Sequence, residues 1–159
     1  MKTIVAFLQN MWVRDPDRVR SDIAKYGEQH RLRLIQYCLF AGCLTGRRLK
    51  TAFGDELLEQ IIWEESTREI AGNSRHVFPP DFVHIQAVLA EIKPRVVIAF
   101  GRIAGDAVKK VWNGPLVCCS HPAARQADTV GRLHTASVEL KTFLNPAILH
   151  EFNSPKKNP

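Results

Sequence analysis

Arg95-Val96-Val97-Ile98-Ala99-Phe100-Gly101-Arg102-Ile103-Ala104-Gly105 decides the fold. Five apolar residues with no polar alternation read as a strand covered on both faces, and the glycine behind them turns the chain into a helix. A strand of that kind belongs to a parallel sheet. Upstream, Phe78-Pro79-Pro80-Asp81 introduces a helix whose Ile85, Val88, Leu89 and Ile92 share one face. Downstream, Leu116-Val117-Cys118-Cys119 forms another short apolar strand, and Leu133 to Leu144 the last helix.

Ile4-Val5-Ala6-Phe7-Leu8 is a first buried strand. Asp15-Pro16 starts a helix, the acid as N-cap and the proline at the first helical position, and Gly27 stops it. Leu32, Leu34, Ile35, Cys38 and Leu39 mark a second helix ending near Gly42, ahead of a polar turn, Leu44-Thr45-Gly46-Arg47-Arg48. Gln60 to Trp63 reads as a second strand, from its β-branched and aromatic residues. Ser66 to Pro80 reads as irregular. The order β-α-α-β-α-β-α-β-α predicts a three-layer α/β/α sandwich around a four-stranded parallel sheet. One domain over 1–150 is expected, with a frayed tail at 151–159.

The 159 residues, 45% of them apolar, suffice for a core without disulfides or metal. Cys38, Cys43, Cys118 and Cys119 form no C-x-x-C pair, so no zinc site or iron–sulfur cluster is signalled. Reduced thiols in the cytoplasm are the expectation. The opening apolar run is too short for a secretory or membrane segment. No cofactor, metal, membrane association or oligomer is predicted. A net charge of +6 favours polyanionic partners without naming one.

In a parallel sheet, strand carboxyl ends converge on one crevice, where Gln9-Asn10-Met11-Trp12 and Ser120-His121-Pro122-Ala123-Ala124-Arg125 would meet. The Asn10 carboxamide could hold a water or cap a turn. His121, held extended by Pro122, could address a ligand or serve the turn. Gly46-Arg47-Arg48 and Gly101-Arg102 could offer donors to phosphates or be solvated surface. For Phe53, Trp63 and Phe100 core packing is favoured, with Trp12 the exception.

Together these segments resemble the uracil-DNA glycosylase superfamily over roughly residues 3 to 145. Leu8-Gln9-Asn10-Met11-Trp12 corresponds to the motif behind strand one, in which members carry Gly-Gln-Asp-Pro-Tyr or Gly-Ile-Asn-Pro-Gly. Ser120-His121-Pro122-Ala123 corresponds to the His-Pro-Ser/Ala motif behind the last strand. Thr45-Gly46-Arg47-Arg48-Leu49 is similar to the Gly-Arg-Pro-Phe stretch of the family-four branch, and Phe78 to Ala104 follows that branch. The chain departs from it at Leu8 and Met11, in lacking the iron–sulfur cysteines, and at Leu49, where the branch has a stacking phenylalanine.

The resemblance implies a monofunctional glycosylase acting on DNA with a flipped base. Asn10 would position the attacking water and His121 would donate to the departing base. Gln9, Trp12, Leu49 and Phe53 would surround that base, while Arg47, Arg48, Gly101, Arg102, Ser120 and Arg125 would contact DNA. Members read uracil with an asparagine at the end of strand two, where this chain has Glu64-Glu65. A carboxylate accepts from cytosine N4 but repels uracil O4. Strand alternation would admit one of the two inward, and a salt bridge to Arg47 or Arg48 is the other reading. Some short prokaryotic members excise glucosylated hydroxymethylcytosine from phage DNA in antiviral defence, and a modified cytosine is the expected substrate. A repair glycosylase for uracil or another deaminated base, and a non-catalytic DNA-binding relative, are the alternatives. A Rossmann-type regulator is disfavoured by the missing Gly-x-Gly-x-x-Gly.

Overall fold

A computed structural model describes residues 4–145. Four parallel strands form the main sheet: β1 (Ile4–Leu8), β3 (Ile61–Glu65), β5 (Val96–Phe100) and β6 (Leu116–Cys119), in the order β3-β1-β5-β6. Every residue of β1 and β5, the two central strands, is buried. That is what an uninterrupted apolar run requires, since helices cover both sheet faces.

Alternate side chains feed two cores. Ile4, Ala6 and Leu8 face a layer containing Ile35, Leu39, Leu49, Phe53, Leu133 and Leu140. These come from α2 (Glu28–Phe40), α3 (Leu44–Phe53) and α7 (Thr129–Leu144). Val5 and Phe7 face Ile85, Val88, Leu89, Ala104, Ala107 and Val108, from α5 (Phe82–Ile92) and α6 (Arg102–Val111). The expected α/β architecture, with a four-stranded parallel sheet between helical layers, is thus observed. The expected tail at 151–159 lies outside the described residues.

Local signals act as read. The Asp15 carboxylate accepts from the Arg18 N–H, with Pro16 opening α1 (Pro16–Tyr26), and Asp81 caps α5 by accepting from the His84 N–H. Three expectations need correction. Leu44 to Arg48 is not a turn but the first half of α3. There Gly46 lies so close to α2 that a Cβ would meet the Leu39 carbonyl oxygen at 1.7 Å. Four helices rather than two join the first pair of core strands, the fourth being α4 (Asp55–Glu59). The second core strand runs Ile61–Glu65, one residue later than read and two residues longer at its end. A further two-stranded parallel pair, β2 (Met11–Trp12) with β4 (Ile70–Ala71), joins the loops behind β1 and β3.

Candidate functional site

All four strands end on the same edge. Leu8 is level with Glu65 and Phe100 with Cys119, so Asn10 and His121 each stand two residues beyond a strand end. With β5 alone between β1 and β6, those ends lie about 10 Å apart, twice the ordinary strand spacing. The cavity beside His121 is nevertheless lined from β6, α6 and α7 and by none of Gln9, Asn10 and Trp12.

His121 is fixed on three sides. The Ala123 N–H donates to its Nδ1 at 3.1 Å and the Ala124 N–H to its carbonyl at 2.9 Å. Its Cβ crowds Gly101, where an added Cβ would sit 3.2 Å away. With Nδ1 accepting, the imidazole proton belongs on Nε2. Burial pushes its pKa below the usual histidine value, which favours this neutral tautomer. His121, Ser120, Gly101 and Arg102 line a cavity of about 650 Å³ that continues past Gln126 and Arg132 between α6 and α7. Cys118 and Cys119 line it too, but burial raises both thiols, Cys119 to about 11. Neither is a thiolate at neutral pH.

The Asn10 carboxamide ties down the loop ahead of α5. Its Nδ2 donates to the carbonyls of Met11 and His76, at 3.2 and 3.3 Å, and its Oδ1 accepts from the Phe78 N–H at 3.3 Å. The oxygen keeps a second lone pair. Gln9 is half-buried, and its carbonyl accepts from the Ser66 hydroxyl at 2.6 Å. Trp12, on β2, is 52% exposed. Arg47, Arg102 and Arg125 are exposed as well.

Other sequence candidates are placed elsewhere. Leu49 and Phe53 belong to the core, Phe53 edge-on to Phe100 with centroids 6.0 Å apart. They present no free face to a base. Arg48 Nη1 is spent on protein, donating to the Pro122 and Ala124 carbonyls at 2.8 Å each.

The acidic pair at the end of β3 departs furthest from expectation. Both Glu64 and Glu65 are buried. Alternation sends them to opposite sides of β3, and helices cover both faces of the sheet, so each finds a protein interior. Glu64 is ion-paired neither to Arg47 nor to Arg48 but to Arg31, at 2.6 Å, with His84 Nε2 3.5 Å from the same oxygen. Burial acts to raise the Glu64 carboxyl, but His84 and Arg31 outweigh it and hold the group below the ordinary range. Arg31 also pairs with Glu28. Sequence reading gives Arg31 no partner. The available signal was its register, since Arg31, Ile35 and Leu39 fall on one helical stripe, and His84 shares such a stripe with Val88.

Glu65 forms no ion pair among the described residues, and the charge of Arg31 lowers its carboxyl only against larger opposing effects. Burial first, and then the charge of Glu64, lift its carboxyl to about 8, so it is neutral at pH 7. Its Oε2 and the Trp63 Nε1, two positions apart on the same strand, are buried without hydrogen-bond partners among the described residues. Comparison of the chain with family models, with curated proteins and with solved structures found no match. No helix among the described residues is long and apolar enough to cross a membrane.

Proposed function

We propose that this chain is a monofunctional DNA glycosylase of the uracil-DNA glycosylase type, with a flipped, modified cytosine as its substrate. The observation that carries the reading is His121, presented at the tip of β6 with Nδ1 accepting from the Ala123 N–H, which leaves the imidazole proton on Nε2. As the N-glycosidic bond stretches, negative charge collects on the departing base, and a fixed donor there lowers the barrier. A neutral imidazole donates without having to lose a charge. Asn10, at the tip of β1, orients the attacking water through its remaining lone pair.

The target must leave the duplex, because its glycosidic carbon is shielded within the stack. Exposed Arg47, Arg102 and Arg125 would offset the unstacking through phosphate contacts, and the net charge of +6 acts in the same direction. Exposed Trp12 offers a stacking surface near the crevice.

The choice of base rests on the resemblance rather than on the end of β3. Glu64 is consumed by its ion pair, and Glu65 is buried with its Oε2 out of solvent, so neither carboxyl presents an edge to a base. A modified cytosine, such as glucosylated hydroxymethylcytosine of phage DNA, is the proposed substrate, with uracil as the second reading, and the antiviral role rests on that substrate.

The test is abasic-site formation on duplexes carrying cytosine, 5-hydroxymethylcytosine, its glucosylated form or uracil. We expect cleavage of a modified cytosine and loss of about a hundredfold or more in His121→Ala, the scale of a lost transition-state donor. Cleavage of uracil alone would transfer the assignment to repair. Absence of abasic product from every duplex would overturn the glycosylase reading.

A further inference from the structure

We infer that Arg48 is a positioning residue that holds the His121 loop in register with the sheet, rather than a contact to DNA. This rests on the glycosylase reading only for its catalytic consequence, since the clamp itself is visible in the hydrogen bonding. A single guanidinium nitrogen, Nη1, donates to Pro122 O and Ala124 O, each at 2.8 Å, across 74 and 76 residues of sequence. These carbonyls flank Ala123, whose N–H donates to His121 Nδ1. The clamp therefore holds the carbonyl of the very peptide group, Pro122–Ala123, whose N–H sets the imidazole tautomer, and anchors the chain again at the Ala124 carbonyl.

The support is continuous back to the core. Arg48 projects from α3, whose neighbouring residues Gly46 and Leu49 are buried, Gly46 directly against the Leu39 carbonyl of α2. The Thr129 hydroxyl at the start of α7 shares its one proton between the Gln126 carbonyl at 2.9 Å and the Ala124 carbonyl at 3.1 Å. Arg48 and Thr129 thus approach one carbonyl from two helices, and Gly101 closes the third side against the His121 Cβ. A half-buried arginine so engaged has little freedom to follow a phosphate. A planar guanidinium suits the task, because its hydrogens lie in fixed directions.

The two roles predict different outcomes for Arg48→Ala and Arg48→Lys. A positioning residue disturbs His121 and the chemical step while leaving DNA affinity and its salt dependence unchanged. A phosphate contact leaves His121 alone but weakens binding across sequences and lowers the salt slope by about one unit.

The experiment records nitrogen-15 shifts of the His121 imidazole in the full chain, DNA affinity across a salt series, and single-turnover rates on the duplex that the wild type cleaves best. In Arg48→Ala we expect the Nδ1 and Nε2 resonances to move toward a tautomer mixture, an unchanged salt slope, and a rate reduced about ten- to a hundredfold, the range for groups that orient a functional ligand. Arg48→Lys should recover part of both the shift and the rate, and if Arg48→Ala does not fold, Arg48→Lys carries the same comparison. Unchanged imidazole shifts, or a flattened salt slope, would overturn the inference. A wild-type protein that forms no abasic site sinks the glycosylase reading instead, and the imidazole shifts still decide the clamp.

Discussion

Glu64 and Glu65 are adjacent on β3, both buried, and opposite in charge state. Glu64 is an anion between Arg31 and His84, and Glu65 is a neutral acid because burial and the charge of Glu64 outweigh the opposing charge of Arg31. The first charge helps to maintain the second proton, because an anion next door disfavours another.

This arrangement gives stability an unusual slope. The folded Glu65 carboxyl, raised from 4.5 to about 8, binds a proton that the unfolded chain has already released over that interval. Stability contributed by Glu65 is therefore present below about pH 4.5 and is lost as pH rises toward 8. Glu65→Gln, which keeps the shape and has no charge to bury, should remove that part of the slope and stabilise the fold at pH 8 by on the order of a few kcal/mol. Urea denaturation of both proteins at pH 5, 7 and 9 checks this, and parallel curves would refute it.

Breaking the neighbouring ion pair from one side should cost more than replacing both partners. Arg31→Met leaves Glu64 buried without its closest cation, a loss of about 3–5 kcal/mol. Adding Glu64→Leu should restore much of that stability, since two apolar groups leave no stranded charge. Equilibrium unfolding of the two single variants and the double variant closes the cycle. Additive losses would show that the pair is not coupled.

The central strands were legible because five successive apolar residues leave few alternatives, and Asp15, Asp81 and Gly101 act through local rules that hold wherever the chain goes. α3 was misread because Gly46 has a tertiary purpose: it admits the Leu39 carbonyl, which a local reading takes for turn chemistry. The same limit hid the roles of Arg31 and Arg48. A surface arginine and a buried one are the same letter, and their partners lie 33 residues away at Glu64 and 74 residues away at Pro122. At the candidate site the sequence located strand ends well and assigned side-chain duties poorly, because the first follows from chain periodicity and the second from contacts between distant segments.

Gly101→Ala should damage His121 and the fold together. Gly101 has φ 88° and ψ 163°, a region costly to any residue with a side chain, by about 1–3 kcal/mol. The new methyl would also press on the His121 Cβ at 3.2 Å. We expect a lower melting temperature and displaced His121 resonances. Wild-type melting would contradict this reading of the backbone.

Trp12→Ala should leave stability nearly intact, because more than half of that side chain is in solvent. If Trp12 stacks on nucleic acid, its loss should weaken binding by about 1–3 kcal/mol per base stacked, with the salt slope unchanged. Binding to a fluorescent single strand across a salt series separates this from the arginines, whose removal lowers the slope. Equal affinity of variant and wild type would remove Trp12 from the interface.

The pH profile of the chemical step should distinguish a neutral His121 from a charged one. Burial moves its pKa below 6.5, so the imidazole is uncharged at neutral pH. Between that lowered value and 6.5 the unfolded chain binds the proton and the folded chain does not, so the stability His121 contributes falls as pH drops through this window. Protonation also places a hydrogen on Nδ1 facing the Ala123 N–H, two donors in opposition, and the loop must move. Single-turnover rates should therefore hold from pH 8 down past 6.5 and then fall along a limb whose midpoint matches the His121 titration followed by NMR. A rate that rises on acidification through that midpoint would mean that imidazolium is the working form, and would overturn the neutral-donor mechanism.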